Sequence, residues 1–275
     1  ENRANEAWLK AAQEFGLPPN FDFNGETTFG VGSYQLSIGP RWRESAATAF
    51  LNPARKRPNL KIITHALASK VLLEARRATG VEWHQGGQPF CGIARREVIL
   101  SGGSIQSPHL LNLSGIGPAA ALKAQGIEVC VDLPGVGENL QDHFQARTIV
   151  KLKQKFSLNT ASRNPFQLAK MGLQWALNGS GPLTAGAGQI GGAAMSEHAI
   201  GGRPDIQFMV MPLSLDRPGT PLHKFSGFTS VVYQCHPQSR GRLTIQSPDP
   251  SAAPRIEPNY LGEEIDRKTL ISGVR

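Results

Sequence analysis

The stretch from Glu97 to His143 most narrows what this chain can fold into. It begins with three apolar residues, Val98-Ile99-Leu100, that end abruptly at Ser101-Gly102-Gly103. A short apolar run of this kind reads as a buried strand. Two glycines directly after it let the backbone turn sharply and come close to a ligand or a neighbouring strand. Ser107 then stands as a helix cap, with Pro108 at the first helical position. Strand, glycine turn and helix start are the parts from which nucleotide-phosphate sites are built, because the unpaired N–H groups of a helix start attract anions.

The same rules organise the rest of the chain. Pro118 to Gln125 reads as a helix closed by Gly126. Ile127, Val129, Val131 and Leu133 then alternate with polar residues, as in a strand with one buried face. Upstream, residues 1–16 carry Ala4, Ala7, Trp8, Ala11 and Phe15 at helical spacing, and a short helix is expected over residues 43–51. Strands are predicted at residues 60–64 and 69–76, the latter turning through Thr79-Gly80 into residues 81–84, with another turn at Gly86-Gly87. Past Phe144 the texture changes. A helix is expected from Asn164 to Asn178, then a Gly/Ala/Pro-rich stretch, then strands at residues 206–211, 227–235 and 242–246. Strands without helices between them predict an antiparallel sheet.

Composition excludes several classes. The formal charge is +8, but the basic residues are dispersed with little aromatic interleaving, which favours a solvated basic surface over nucleic-acid binding. The three cysteines, Cys91, Cys130 and Cys235, show neither metal-ligand nor disulfide spacing and point to a reducing compartment. No apolar run is long enough to span a bilayer. The histidines at 65, 84, 109, 198, 223 and 236 show no paired spacing suited to a metal. Gly186-Ala187-Gly188-Gln189-Ile190-Gly191 spells a dinucleotide fingerprint, but a turn precedes it where the fingerprint needs a strand, so a loop is the favoured reading. No Gly-x-Ser-x-Gly elbow is present, which weakens a serine-hydrolase reading.

The motifs carry a resemblance. Gly103-Ser104, Ser107-Pro108, Leu110-Leu111 and Ser114-Gly115-Ile116-Gly117 resemble the second signature of the glucose-methanol-choline (GMC) oxidoreductases. Asp132-Leu133-Pro134-Gly135-Val136-Gly137 and Asn139-Leu140-Gln141-Asp142-His143 match that family's wording, as do Arg43-Glu44-Ser45-Ala46 upstream and Pro258-Asn259-Tyr260-Leu261 downstream. The resemblance implies an FAD-dependent enzyme that takes hydride from the CH–OH group of a small-molecule alcohol to the flavin. Alternatives are a GMC-type lyase such as a hydroxynitrile lyase, or a fragment without activity of its own.

By the same resemblance the fold is α/β plus α+β: an incomplete, Rossmann-like FAD-binding domain with an antiparallel-sheet substrate-binding domain. Residues 1–143 would belong mostly to the first, with 17–50 partly on the substrate side, and 144–275 mostly to the second. The FAD contacts would be the main chain of Ala68 and the turn Ser101, Gly102 and Gly103. The family's phosphate-cradling glycine turn and its proton-accepting His are expected outside this chain, which alone should neither retain FAD nor oxidise alcohols. His143 is the one candidate base here. Set against it is a buried structural or flavin-side role, since adjacent side chains such as Asp142 and His143 rarely face each other. No aromatic cage for a quaternary ammonium is legible. A cytoplasmic location, with peripheral membrane attachment as the alternative, completes the expectation.

Overall fold

A computed structural model describes residues 2–39 and 42–275. In chain order the elements are α1 (Arg3–Glu14), β1 (Gly30–Ser33), a π-helical turn (Ala47–Leu51) running into α2 (Asn52–Ala54), β2 (Ala66–Glu74), β3 (Arg77–Gln85) and β4 (Gln88–Ile93). Then follow α3 (Gly103–Leu113), β5 (Ile116–Gly117), α4 (Ala119–Ala124), β6 (Val131–Asp132), β7 (Gln145–Lys151), α5 (Leu158–Ala161) and α6 (Pro165–Asn178). The chain closes with β8 (Ile190–Ala194), β9 (Ile206–Met211), β10 (Gly227–Gln234), β11 (Arg242–Thr244), β12 (Arg255–Glu257) and α7 (Glu264–Val274). The fold is mixed α and β, with mainly antiparallel sheets.

Contacts divide the chain into two units. One holds residues 1–57, 143–236 and 263–275; the other holds 58–142 and 237–262. The sequence-based division near residue 144, with residues 17–50 partly on the substrate side, differs from this chiefly in residues 1–16, which lie with the later strands, and 237–262, which lie with the earlier ones. Strand pairing decides this grouping, since β1 joins β8 and β11 joins β12.

The first unit is built on a five-stranded antiparallel sheet in the order β1-β8-β9-β10-β7. Val31, Ile190, Ala193, Ile206, Val210, Val231 and Val232 are its buried apolar residues. β9 and β10 fall where alternation predicts them. β1, β7 and β8 have no such signal, since glycine-rich β8 and the polar β7 carry little period-2 hydrophobicity. α7 packs on β9 and β10 through Gly273, where an added Cβ would lie 2.7 Å from Val232 Cγ2. α6 starts as its sequence says: Asn164 Oδ1 accepts from the Phe166 and Gln167 amides at 3.0 and 3.3 Å, Pro165 takes the first turn, and Gly179 ends it with φ 58°.

The second unit pairs β2-β3-β4 antiparallel, β11 with β12 antiparallel, and β5 with β6 parallel. The hairpin between β2 and β3 turns at Ala75-Arg76, both at positive φ, not at Thr79-Gly80 as expected. Gly80 lies inside β3 because β4 approaches there so closely that a Cβ would strike the Gly92 carbonyl. β11 joins β12 in this unit instead of extending the sheet of β9 and β10. The core is Leu113, Leu122 and Ile245, with Ile127 and Val129 against it.

Four expectations in this unit need correction. Residues 60–64 and Val98–Leu100 are not strands, and Ile99 is 76% exposed. An apolar run becomes a strand only beside a ladder partner, and no described strand lies there. The predicted strand over residues 127–133 keeps only Val131–Asp132 for the same reason. α3 begins at Gly103, four residues ahead of Ser107, so Pro108 lies inside the helix.

Candidate functional site

The sequence-predicted cofactor residues gather in the second unit. Ala68 on β2, with Ser101 and Gly102 ahead of α3, lines a cavity of 350 Å³. Gly103 opens α3 at φ 79°, a conformation that suits glycine. Next to Ala68 the β2–β3 register shifts across Ser69, a bulge of the kind that re-aims backbone groups at a site. The walls are apolar, from Leu67, Val81, Leu100, Leu110 and Leu113, with polar points at Ser101, Gln106, Ser107 and His109.

Ser114 holds the two sides of this cavity together. Its hydroxyl donates to the Leu110 carbonyl at 2.6 Å and accepts the Val71 amide at 2.8 Å, fastening α3 to the outer edge of β2. An edge strand otherwise leaves such amides unpaired.

His109 is a site residue that sequence reasoning passed over. It is 3% exposed, and its Nε2 is buried without a hydrogen-bond partner. Its Nδ1 lies 3.4 Å from Gln106 Oε1. Burial pushes its pKa below the usual histidine range, so the ring is neutral near pH 7. With Nδ1–H toward Gln106, Nε2 becomes a bare acceptor facing no donor. The search for paired metal-ligand spacing could not find it. The signal is a lone polar residue in the apolar run Leu110-Leu111.

The first unit holds His143 and two further cavities. His143 is exposed, not buried as the structural alternative had it. Its Nε2 lies 3.0 Å from the Cys235 carbonyl, to which it must donate, and its ring stacks on Tyr233 at 5.0 Å. Asp142 accepts the Tyr260 hydroxyl. Cys235, whose thiol is pushed up to about 11 by burial and then by the Asp205 charge, lines a cavity of 560 Å³ with Tyr34, Arg203, Gln207 and His236. Tyr34 donates to the Phe208 carbonyl. A cavity of 750 Å³ contains Trp42 and Trp175, ring centroids 5.0 Å apart and edge to face. These two lie 133 residues apart in sequence, so no local pattern pairs them. Residues 186–189 run into strand β8 and not into a helix, so the fingerprint geometry is not formed there. Among the described residues, no three His, Cys, Asp or Glu side chains cluster as a metal site, and no helix is long and apolar enough to cross a membrane.

Comparison with known proteins places this geometry. Residues 1–145 match the N-terminal family model described as GMC oxidoreductase, and residues 237–275 match the C-terminal one. Oxygen-dependent choline dehydrogenase of Burkholderia multivorans is 36% identical over 271 residues, 98% of this chain and 48% of that protein. The protein of the same name from Burkholderia pseudomallei is 37% identical over the same share. The chain therefore spans about half the length of the curated relatives it matches. Among solved structures, an FAD-dependent oxidoreductase from Chaetomium thermophilum superposes with a TM-score of 0.87 at 24% identity, over 99% of this chain and 54% of that one. A formate oxidase variant of Aspergillus oryzae gives 0.85 at 25% identity, over 98% of this chain and 51% of that one.

Proposed function

The chain belongs to the GMC oxidoreductase family, and from that premise we propose that it is the central part of an FAD-dependent oxidoreductase acting on small-molecule alcohols. The unit of residues 58–142 and 237–262 would serve the cofactor, and the unit built on the five-stranded sheet the substrate. The single observation that carries this reading is that Ala68, Ser101 and Gly102 share one 350 Å³ cavity with His109, a residue whose buried Nε2 has no hydrogen-bond partner. A buried acceptor without a donor costs about 1–3 kcal/mol, which a ligand N–H or O–H would relieve. The apolar walls suit the flat face of an adenine, and Ser101, Gln106, Ser107 and the main chain of Ala68 offer the hydrogen bonds that orient it. The adenosine half of FAD fits these residues. Ala68, Ser101, Gly102 and Gly103 would hold it, with His109 accepting from an amino or ribose hydroxyl group.

When bound, the flavin would supply the hydride acceptor. This chain's own residues bind and orient. His143 is assigned a positioning role beside Tyr233 and Cys235, because its Nε2–H is engaged by a carbonyl. No described residue is nominated as the base. The lyase alternative finds no support in the relatives named above. A cytoplasmic location, at most peripheral to a membrane, belongs to the same proposal, supported by the scattered sequence positions of Cys91, Cys130 and Cys235.

The Trp42–Trp175 pair favours a second, narrower reading in which the alcohol carries a cationic group held against aromatic faces. The test is anaerobic titration of the flavin-loaded, longer protein with neutral and quaternary-ammonium primary alcohols. Flavin bleaching by any of them supports the oxidoreductase. Bleaching confined to the cationic alcohols supports the narrower reading. A bound flavin that bleaches with none overturns both.

A further inference from the structure

We propose that α6 and the basic segment leading into it form a surface that docks on an anionic membrane, lying in the interface without crossing it. This gives the peripheral membrane attachment named above a specific surface, and it does not rest on the oxidoreductase chemistry.

The helix is apolar on the side turned to solvent. Phe166 is 87% exposed, Leu173 60% and Leu177 67%. At about 100° per residue these three fall within roughly 40° of one another on the helix surface. Met171 and Trp175, on the opposite side, are the half-buried ones, and Trp175 packs on Trp42. An ordinary surface helix shows the reverse arrangement, polar outside and apolar within. An exposed row of large apolar side chains on one helix face marks an interaction surface.

Charge identifies the occupant. From Phe144 to Ser196 the chain has no Asp or Glu, while it carries Arg147, Lys151, Lys153, Lys155, Arg163 and Lys170. Lys170 stands on α6 about 40° from Phe166, within the apolar row. Among the described residues Lys153, Lys155 and Lys170 enter no salt bridge. A protein partner commonly offers both signs, and nucleic acid has no use for a row of Phe and Leu. A bilayer with anionic headgroups satisfies both features at once: apolar side chains enter the acyl boundary while lysines stay at the headgroups. α6 has 14 residues, short of a span but ample for an interfacial helix.

The experiment is co-sedimentation of this chain with vesicles of phosphatidylcholine plus phosphatidylserine, and with vesicles of phosphatidylcholine alone. Binding to the anionic vesicles should be stronger by about tenfold or more and should weaken with salt. The variant Phe166→Ser/Leu173→Ser/Leu177→Ser changes exposed positions, so its melting curve should match the parent while vesicle binding falls about tenfold. Lys153→Glu/Lys155→Glu/Lys170→Glu keeps the apolar row and should flatten the salt dependence. The idea is overturned if the chain does not sediment with anionic vesicles, or if the apolar variant binds them as well as the parent. It is equally overturned if the parent self-associates through this row in sedimentation velocity without binding vesicles, which would make a second copy the occupant.

Discussion

Ser114→Ala is the change that most directly probes how the 350 Å³ cavity between β2 and α3 is held together. Ser114 is fully buried, and its hydroxyl has two partners. Of these, the Leu110 carbonyl also accepts from the Ser114 amide at 3.1 Å, so it stays satisfied in the variant. The Val71 amide has only the hydroxyl at 2.8 Å, at a residue 4% exposed. Removing one oxygen therefore strands a buried N–H, which costs about 1–3 kcal/mol. At about 2–4 °C per kcal/mol, Tm falls by roughly 2–12 °C. Hydrogen exchange localises the effect: the Val71 amide should exchange faster, ahead of any change at Val231 in the other unit. Ser104→Ala, at an exposed position on the same helix, should stay within about 0.5 kcal/mol. An unchanged Tm together with an unchanged Val71 exchange rate would refute the reasoning, because the α3–β2 fastening would then not exist.

Other changes test separate parts of the structure. His109→Phe removes the orphaned acceptor, so it should leave thermal stability equal or higher while weakening AMP binding by about three- to tenfold, read by equilibrium dialysis. The fold lowers the His109 pKa through burial, so the unfolded chain takes up a proton first as pH falls. Its contribution is complete above about pH 6.5 and declines below it. Urea midpoints from pH 7.5 down to pH 5 should therefore drop less in His109→Phe than in the parent. Asn159 is fully buried and donates to the carbonyls of Ser214 and His223 at 2.9 and 3.0 Å while accepting the Ser214 amide at 2.8 Å. Asn159→Ala should cost roughly 3 kcal/mol in urea unfolding, and a loss below about 1 kcal/mol would contradict that network. Gly117→Ala drives a methyl into Asn112 Oδ1, whose residue is only 2% exposed and cannot swing aside. A cost of about 1–3 kcal/mol is expected, and a neutral result would mean that the loop yields.

Local chemistry made some of this legible in advance. Asn164 and Gly179 delimit α6, and Pro118 with Gly126 brackets α4, because caps act within a turn of their own residue. β9 and β10 follow from alternation, although Val231 and Val232 of β10 are both buried. Ala68, Ser101 and Gly102 were named from motif wording, and they line one cavity because β2 and the start of α3 are neighbours in the same unit.

Long-range pairing is where residue patterns stop. By itself the sequence determined where α4, α6, β9 and β10 lie and which motifs the chain carries. Only the tertiary structure decided that Val98–Leu100 stays unpaired, that β11 joins β12, and that residues 237–262 group with residues 58–142. It alone left His109 Nε2 without a partner and brought Trp42 to Trp175. It also turned Phe166, Leu173 and Leu177 outward. The physical reason is common to all of these. Caps and periodicity are energies of neighbouring residues, whereas a strand's partner, a buried atom's satisfaction and the covering of an apolar face depend on groups that the chain supplies from far away.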